Sequence, residues 1–238
     1  MDGQFHGRCV VVIGGTSGIG AAVGERFAAS GAKVTVAGLR SREAPSSLAS
    51  LARTMELDIT HGDDLERFVA GLPEMHVLVN AAGVIHRDDE YLPEVFARVV
   101  EINLTGTMRA CVSARPLLAR SGGCIVNVAS MLSFFGGPTV PAYTASKGGV
   151  AQLTKALAVA WASDGIRVNA VAPGWIRTGL TAALHQDPAA ARRVVERTPM
   201  GRWGEPADVA GAVTFLSGPD AQFITGVVLP VDGGYLAT

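Results

Sequence analysis

The chain has 238 residues, 48% of them hydrophobic and 17% charged, with a formal net charge of −1. Such apolar content excludes a disordered chain, and 20 Lys+Arg against 21 Asp+Glu leave no basic excess for nucleic acid or an anionic membrane surface. Glycine, at 29 residues and with no collagen-like period, points to tight turns and close backbone approaches.

The polar start, Met1 to Arg8, has no apolar core of signal-peptide length and leads into Cys9–Ile13, read as the first strand. Gly14-Gly15-Thr16-Ser17-Gly18-Ile19-Gly20 follows, and a helix is predicted over Ile19–Ser30. A turn this rich in glycine lets the backbone approach a pyrophosphate, and the helix N-terminus adds unpaired N–H groups at the positive end of its dipole. Its place between a buried strand and a helix is the context that makes the pattern specific. Val34–Ala37 is the second strand, Asp63–Ala70 a helix, and Val77–Val79 a strand running into Asn80-Ala81-Ala82-Gly83. One helix is predicted over Pro93–Leu118, with Pro93 in the first turn, where a missing N–H is harmless. Strand Cys124–Val128 then places Ser130 at its C-terminal end, where open α/β sheets bind their ligands.

The helix predicted over Tyr143–Ser163 carries Tyr143 and Lys147 four residues apart, hence on one face. A phenol with pKa about 10 is a poor acid–base group at neutral pH, and a neighbouring ammonium favours its ionised form. Strand Ile166–Val171 leads to Pro173-Gly174 and a long excursion, Gly174–Gly204, read as a functional lid holding a short helix over Pro188–Arg197. Helix Pro206–Ser217 and strand Val227–Val231 close the set. Continuous apolar strands alternating with helices imply a sheet covered on both faces: one doubly wound α/β domain over residues 1–238, without repeat or linker. Cys9, Cys111 and Cys124 show no C-x-x-C spacing, so neither a disulfide framework nor a metal site is expected. No run of about 20 apolar residues occurs, so no membrane span is expected, and the expected compartment is a reducing cytoplasm.

With these motifs in order, the chain resembles the short-chain dehydrogenase/reductase family over nearly its whole length. The resemblance rests on the glycine turn, Asn80-Ala81-Ala82-Gly83, Asn103, Ser130 thirteen residues before Tyr143, Lys147 and Pro173-Gly174. The closing Ile224-Thr225-Gly226 and Val231-Asp232-Gly233-Gly234 also match. It implies a Rossmann-type domain with seven parallel strands in the order 3-2-1-4-5-6-7, flanked by helices. The implied activity is NAD(P)-dependent hydride transfer between nicotinamide and a ketone or secondary alcohol. Its implied tetrad is Asn103, which positions a relay water; Ser130, which holds the carbonyl oxygen; Tyr143, the proton donor; and Lys147, which lowers the tyrosine pKa and binds the ribose. Implied cofactor contacts come from Gly14, Thr16, Ser17, Gly18, Ile19 and Gly20 in the turn, and from Asp58 and Ile59 beside the adenine. Asn80, Ala81, Ala82, Gly83, Tyr143 and Lys147 extend that set, and Pro173, Gly174, Ile176 and Thr178 seat the nicotinamide amide. The chain departs from the family at Ile13, where Thr is common, and at Ala81, where a second Asn is usual; neither touches a reacting atom.

An acidic side chain at the end of the second strand selects NAD, and here that position falls at Gly38. Arg40 and Arg42 follow and could pair with a 2′-phosphate, while Leu39 stands where NADP enzymes often carry a basic residue. The expectation covers NADP or NAD and leans to NADP. The substrate pocket is expected to involve Ser130, Leu132, Tyr143 and Trp175. Met131, Phe134, Phe135 and Pro138 make the region apolar, and His86 and Arg87 are placed to reach into it. A small, largely apolar carbonyl or alcohol is therefore expected as partner, with no nucleic acid and no membrane. The long Ala- and Leu-rich helix resembles the one that pairs between subunits in family tetramers, so a homo-oligomer, tetramer or dimer, is expected. Two rival readings are a catalytically idle dinucleotide-binding regulator and a sugar-nucleotide epimerase or dehydratase. The intact tetrad argues against the first; the second usually needs a larger C-terminal substrate domain.

Overall fold

The computed structural model describes residues 3–39, 41 and 44–238, so Arg40 and Arg42 lie outside the described residues. Seven parallel strands form one sheet in the order β3-β2-β1-β4-β5-β6-β7, as expected. They are β1 Cys9–Ile13, β2 Lys33–Gly38, β3 Arg53–Glu56, β4 Val77–Asn80, β5 Cys124–Val128, β6 Arg167–Pro173 and β7 Val228–Val231. Side chains alternate between the two sheet faces, and both faces are apolar. Val10, Val12, Val34, Val36, Val79 and Val126 face one layer, built from α1 (Gly18–Ala29), α2 (Ser46–Leu51) and α9 (Pro206–Ser217). Val11, Ile13, Leu78, Ile125 and Val168 face the other, built from α3 (Gly62–Ala70), α5 (Gly106–Ser121) and α6 (Pro141–Trp161). Phe27 and Leu118 are fully buried on opposite sides, each supplying roughly 1.5–3 kcal/mol of burial.

Two elements lacked a sequence signal. Strand β3 is an edge strand reading Arg53-Thr54-Met55-Glu56; half its residues face water, so it never forms an apolar run. Helix α2 has six residues and buries only Leu48. A third element differs from expectation. The helix predicted over Pro93–Leu118 is α4 (Pro93–Val100) and α5, joined by a π-helical turn at Glu101–Thr105. The turn swings Asn103 inward, where its amide pairs with both backbone groups of Val84, at 2.8 and 2.9 Å. Such bulges often mark functional positions.

Helix α6 begins at Pro141, which puts Tyr143 in its first turn. Of the Gly148-Gly149 pair in α6, Gly149 is closely packed, since a Cβ there would lie 2.6 Å from Leu104 Cδ2, while Gly148 faces open space. The excursion after β6 carries α7 (Ala182–His185) and α8 (Pro188–Arg197), the latter as predicted. Its two ends are tied by a parallel bridge between Ile176 and Gly204. Cys111 and Cys124 are buried thiols, whereas Cys9 is half-buried. No helix among the described residues is long and apolar enough to cross a membrane.

Candidate active site

The sheet order reverses between β1 and β4, and at the C-terminal ends of those strands the chain leaves a cleft of about 490 Å³. That is where open α/β sheets accept ligands. One wall is the glycine turn. Gly14 has φ +78°, and a Cβ there would stand 2.3 Å from the Ala82 nitrogen; a Cβ on Gly20 would stand 2.1 Å from the Gly14 carbonyl oxygen. Only bare backbone fits between β1, α1 and the loop after β4. At the head of α1, Ser17 makes no side-chain cap, and the first turn holds no acidic residue. The first N–H groups of α1 therefore face the cleft without a capping partner, as an anionic pyrophosphate requires. On this criterion the site fits a dinucleotide.

Of the sequence-predicted cofactor residues, Gly14, Thr16, Ser17, Gly18, Ile19 and Gly20 line the cleft. So do Asp58, Ile59, Ala81, Ala82, Gly83, Pro173, Gly174, Ile176 and Thr178. Asp58 Oδ1 accepts from the Thr60 backbone N–H and hydroxyl at 2.9 and 2.7 Å. Burial works against that carboxylate, but the Thr60 bonds and the charges of His61 and Arg98 outweigh it, so its pKa lies below the ordinary value. Asn80 is not on the cleft wall. Its side chain is buried within the fold, where Nδ2 donates to Asn127 Oδ1 at 2.9 Å, and Asn127 donates on to Thr154. Asn80 sits at the last position of β4, whose side chain turns inward toward β5, so it braces the sheet below the cofactor wall.

Ser130, Tyr143 and Lys147 converge at the far end of the cleft. Ser130 follows β5, and its Oγ accepts from the Leu132 N–H at 3.1 Å, leaving the hydroxyl proton free to donate toward Tyr143 or a ligand. Lys147 Nζ donates to the Val128 carbonyl at 2.7 Å and lies 5.6 Å from the centre of the Tyr143 ring. Asn103, the fourth expected member, is fully buried behind Gly83, with its amide engaged by Val84 and Ser146. Its side chain supports the wall rather than facing the cleft.

The electrostatics differ from the simple expectation that Lys147 brings the phenol toward neutrality. Burial is the largest influence on Tyr143 and raises its pKa; the Ser130 hydroxyl and Arg87 pull it down, and Glu90 pushes it up. Burial also lowers the pKa of Lys147, to about 8.

Of the expected substrate-pocket residues, Ser130 and Tyr143 line the cleft. Leu132 contributes its backbone N–H to Ser130, and its side chain packs toward Gly137. Trp175 instead lines a second cavity of about 400 Å³ with Thr198, Met200 and Asp232. Its ring packs edge-on against Trp203, 5.7 Å between centres. Met131, Phe134, Phe135 and Pro138 are likewise not among the lining residues of the cleft.

Sequence reasoning missed Glu90, a fully buried carboxylate beside Tyr143. It stands in His86-Arg87-Asp88-Asp89-Glu90, a charged run that reads as solvated. Among the described residues one group could hold a metal ion: Cys9, Glu74 and His76, at the opposite end of the strands. There the Cys9 N–H already occupies His76 Nδ1, at 3.0 Å.

A family model described as enoyl-(acyl carrier protein) reductase matches residues 14–236. The chain is 35% identical to a 2-dehydro-3-deoxy-D-gluconate 5-dehydrogenase of Bacillus subtilis, over 98% of this chain and 96% of the relative. It is 37% identical, with the same coverage, to an L-tagatose-forming galactitol 2-dehydrogenase of Cereibacter sphaeroides. A solved structure from Beutenbergia cavernae, named for NAD(P)-dependent gluconate 5-dehydrogenase activity and holding NADP at low occupancy, superposes with TM-score 0.93 at 37% identity. That match covers 99% of this chain and 100% of the other.

Proposed function

Because this chain belongs to the short-chain dehydrogenase/reductase family, and is an NAD(P)-dependent oxidoreductase acting on a small alcohol or ketone, we propose that its substrate is a polyhydroxylated acid or polyol, oxidised at a secondary hydroxyl. The observation that carries the reading is the convergence of Ser130, Tyr143 and Lys147 at the end of the cleft, where the positive charge of Arg87 also acts on the phenol. A cationic, hydroxyl-bearing corner suits a substrate rich in oxygen, and the apolar side chains that suggested an apolar substrate lie outside the cleft lining.

In this proposal the bound nicotinamide cofactor accepts or supplies the hydride. In oxidation the Tyr143 oxygen, as phenolate, takes the proton of the substrate hydroxyl, and in reduction the phenol gives its proton to the substrate oxygen. Ser130 donates to the same oxygen, and the two preorganised donors stabilise the developing alkoxide. Lys147, anchored to Val128, keeps its remaining N–H groups for the cofactor ribose. Asn103 acts from behind by fixing Val84 and hence the wall at Gly83. Asp58 and Ile59 flank the adenine.

The proposal extends to NADP in preference to NAD. At Gly38 no carboxylate opposes a 2′-phosphate, and the neighbouring Leu39 is exposed on the cleft rim. It extends also to a homo-oligomer in a reducing cytoplasm. Met108 and Val112 leave an apolar stripe on α5, Val159 on α6 is 82% exposed, and three unpaired thiols suit such a compartment.

A panel of aldonic acids, their keto forms, polyols and unsubstituted secondary alcohols tests the reading, each offered with NADP and with NAD and followed by nicotinamide absorbance. Turnover of aldonic acids or polyols, faster with NADP, is the expected result. Turnover confined to unsubstituted alcohols overturns the substrate class, and a preference for NAD overturns the cofactor choice.

The pH dependence of oxidation tests Lys147. Tyr143 and Lys147 share one small buried site, with the ammonium 5.6 Å from the ring centre, where its positive charge favours the phenolate as long as it stays protonated; burial lowers the pKa of Lys147 to about 8. With Lys147→Ala the phenol stands alone, and burial holds it above its ordinary value of 10.0. The rising limb of kcat is therefore expected to move upward at saturating cofactor. Limbs that rise at the same pH would reduce Lys147 to a cofactor-binding residue.

A further inference from the structure

We propose that Glu90 is a positioning residue for catalysis: its carboxylate holds the first turn of α6, and with it Tyr143, against the loop that follows β4. The inference rests on Tyr143 being the proton-transfer group.

Glu90 is fully buried, and both its oxygens accept main-chain hydrogen bonds. Oε1 takes the His86 N–H at 2.9 Å, and Oε2 takes the Tyr143 N–H at 2.8 Å. An acceptor at both oxygens is what an ionised carboxylate offers. The need for it arises in α6. Pro141 has no N–H, and the Tyr143 N–H lies too near the start of the helix for an intrahelical partner, whereas Thr144 already bonds back to Val140. Glu90 thus completes the helix start from another part of the chain. It also sets a negative charge at the positive end of the helix dipole, which offsets part of its own burial.

The surrounding strap shows that the segment is docked. The Asp88 N–H donates to the Thr139 carbonyl at 2.9 Å, and the Tyr91 hydroxyl donates to the Pro138 carbonyl at 2.8 Å. Asp88 itself takes φ +70°, the single left-handed non-glycine position among the described residues. Such a conformation persists where neighbouring contacts enforce it. Three bonds therefore clamp residues 88–91 onto residues 138–143, and the Glu90 bond is the one that reaches the backbone of Tyr143.

Removing the carboxylate charge has a signature that loss of a plain brace lacks. The groups acting on Tyr143 are Lys147 on its own helix, Ser130 after β5, and Arg87 and Glu90 in the loop after β4. Of these Glu90 alone is negative, so it opposes ionisation of the phenol. Gln at this position is isosteric but turns a donor toward one of the two N–H groups and carries no charge.

The test measures kcat for alcohol oxidation against pH, with cofactor affinity, in Glu90→Gln, Glu90→Asp and Tyr143→Phe. Glu90→Gln is expected to lower kcat roughly 10- to 100-fold, since small misplacements of a catalytic group cost rate on that scale. Its rising limb should shift downward by roughly half a pH unit, because a charge opposing the phenolate is gone. Glu90→Asp keeps the charge and loses reach, so kcat should fall with the limb in place. Cofactor affinity should change little in both, as the glycine turn lies on β1 and α1. Wild-type kcat in either variant overturns the proposal, and so does an unmoved limb in Glu90→Gln, which leaves only a structural brace. If Glu90→Gln fails to fold, Glu90→Asp decides through its kcat and cofactor affinity. An active Tyr143→Phe would instead overturn the assignment of Tyr143, whereas an inactive one beside unaffected Glu90 variants would overturn the Glu90 inference alone.

Discussion

Tyr143→Phe is expected to lower kcat at least a hundredfold in both directions while cofactor affinity stays within about threefold of wild type. The ring keeps its place on α6, and the substitution removes only the oxygen that exchanges a proton with the substrate. General acid–base groups contribute typically 10²–10⁴-fold, so the loss should fall in that range. Ser130 would remain as a hydrogen-bond donor to the substrate oxygen, with its Oγ held by the Leu132 N–H. The measurement is steady-state turnover beside a cofactor titration on the same preparation. Activity above about one hundredth of wild type would remove Tyr143 from the proton-transfer role.

Gly14→Ala is expected to damage both stability and cofactor binding. The residue has φ +78°, where an L side chain costs about 1–2 kcal/mol. The new Cβ would also lie 2.3 Å from the nitrogen of Ala82 and 2.5 Å from its Cα, and backbone cannot swing aside as a flexible side chain can. Overpacking of this kind typically costs 1–3 kcal/mol, so together the terms are about 2–5 kcal/mol. For a chain of this size that corresponds to a melting temperature lowered by roughly 5–15 °C. If the protein escapes the clash by opening the cleft, the wall at Ala81–Gly83 parts from the glycine turn, and cofactor affinity should drop about a hundredfold or more, a loss of about 2.7 kcal/mol. A melt and a cofactor titration read both effects. Wild-type values in the two measurements would show that β1 and the loop after β4 are not held as closely as the structure has them.

The parts of the site that could be read from residues alone are those set by spacing along a short stretch of chain. The glycine turn announces itself because only glycine tolerates the contacts at Gly14 and Gly20. Tyr143 and Lys147 share a face because helical geometry places residues four apart together. Ser130 was found through its position at the end of an apolar strand. Glu90 carries no comparable mark: its partner Tyr143 is 53 positions away, and in its own neighbourhood it is one more charge in a polar loop. The expected substrate-pocket residues divide for a related reason: Ser130 and Tyr143 line the cleft, whereas Trp175 lines the neighbouring cavity. Composition after β5 and β6 does not tell which way Trp175 turns, and its packing on Trp203 decides that.

Local signals along the chain are enough for the doubly wound sheet, its burial on both faces and the end at which a dinucleotide site is expected. Those follow from local periodicity, from the apolar strands and from the conformational demands of glycine, which act the same way in any surroundings. Tertiary structure alone decided the π-helical turn that carries Asn103 to Val84, the edge strand β3 and the balance of charge at the phenol. Each depends on contacts between segments far apart in the chain. The pKa of Tyr143 makes the reason plain: burial in the assembled cleft outweighs the neighbours that pull it down, and burial is a property no single segment possesses.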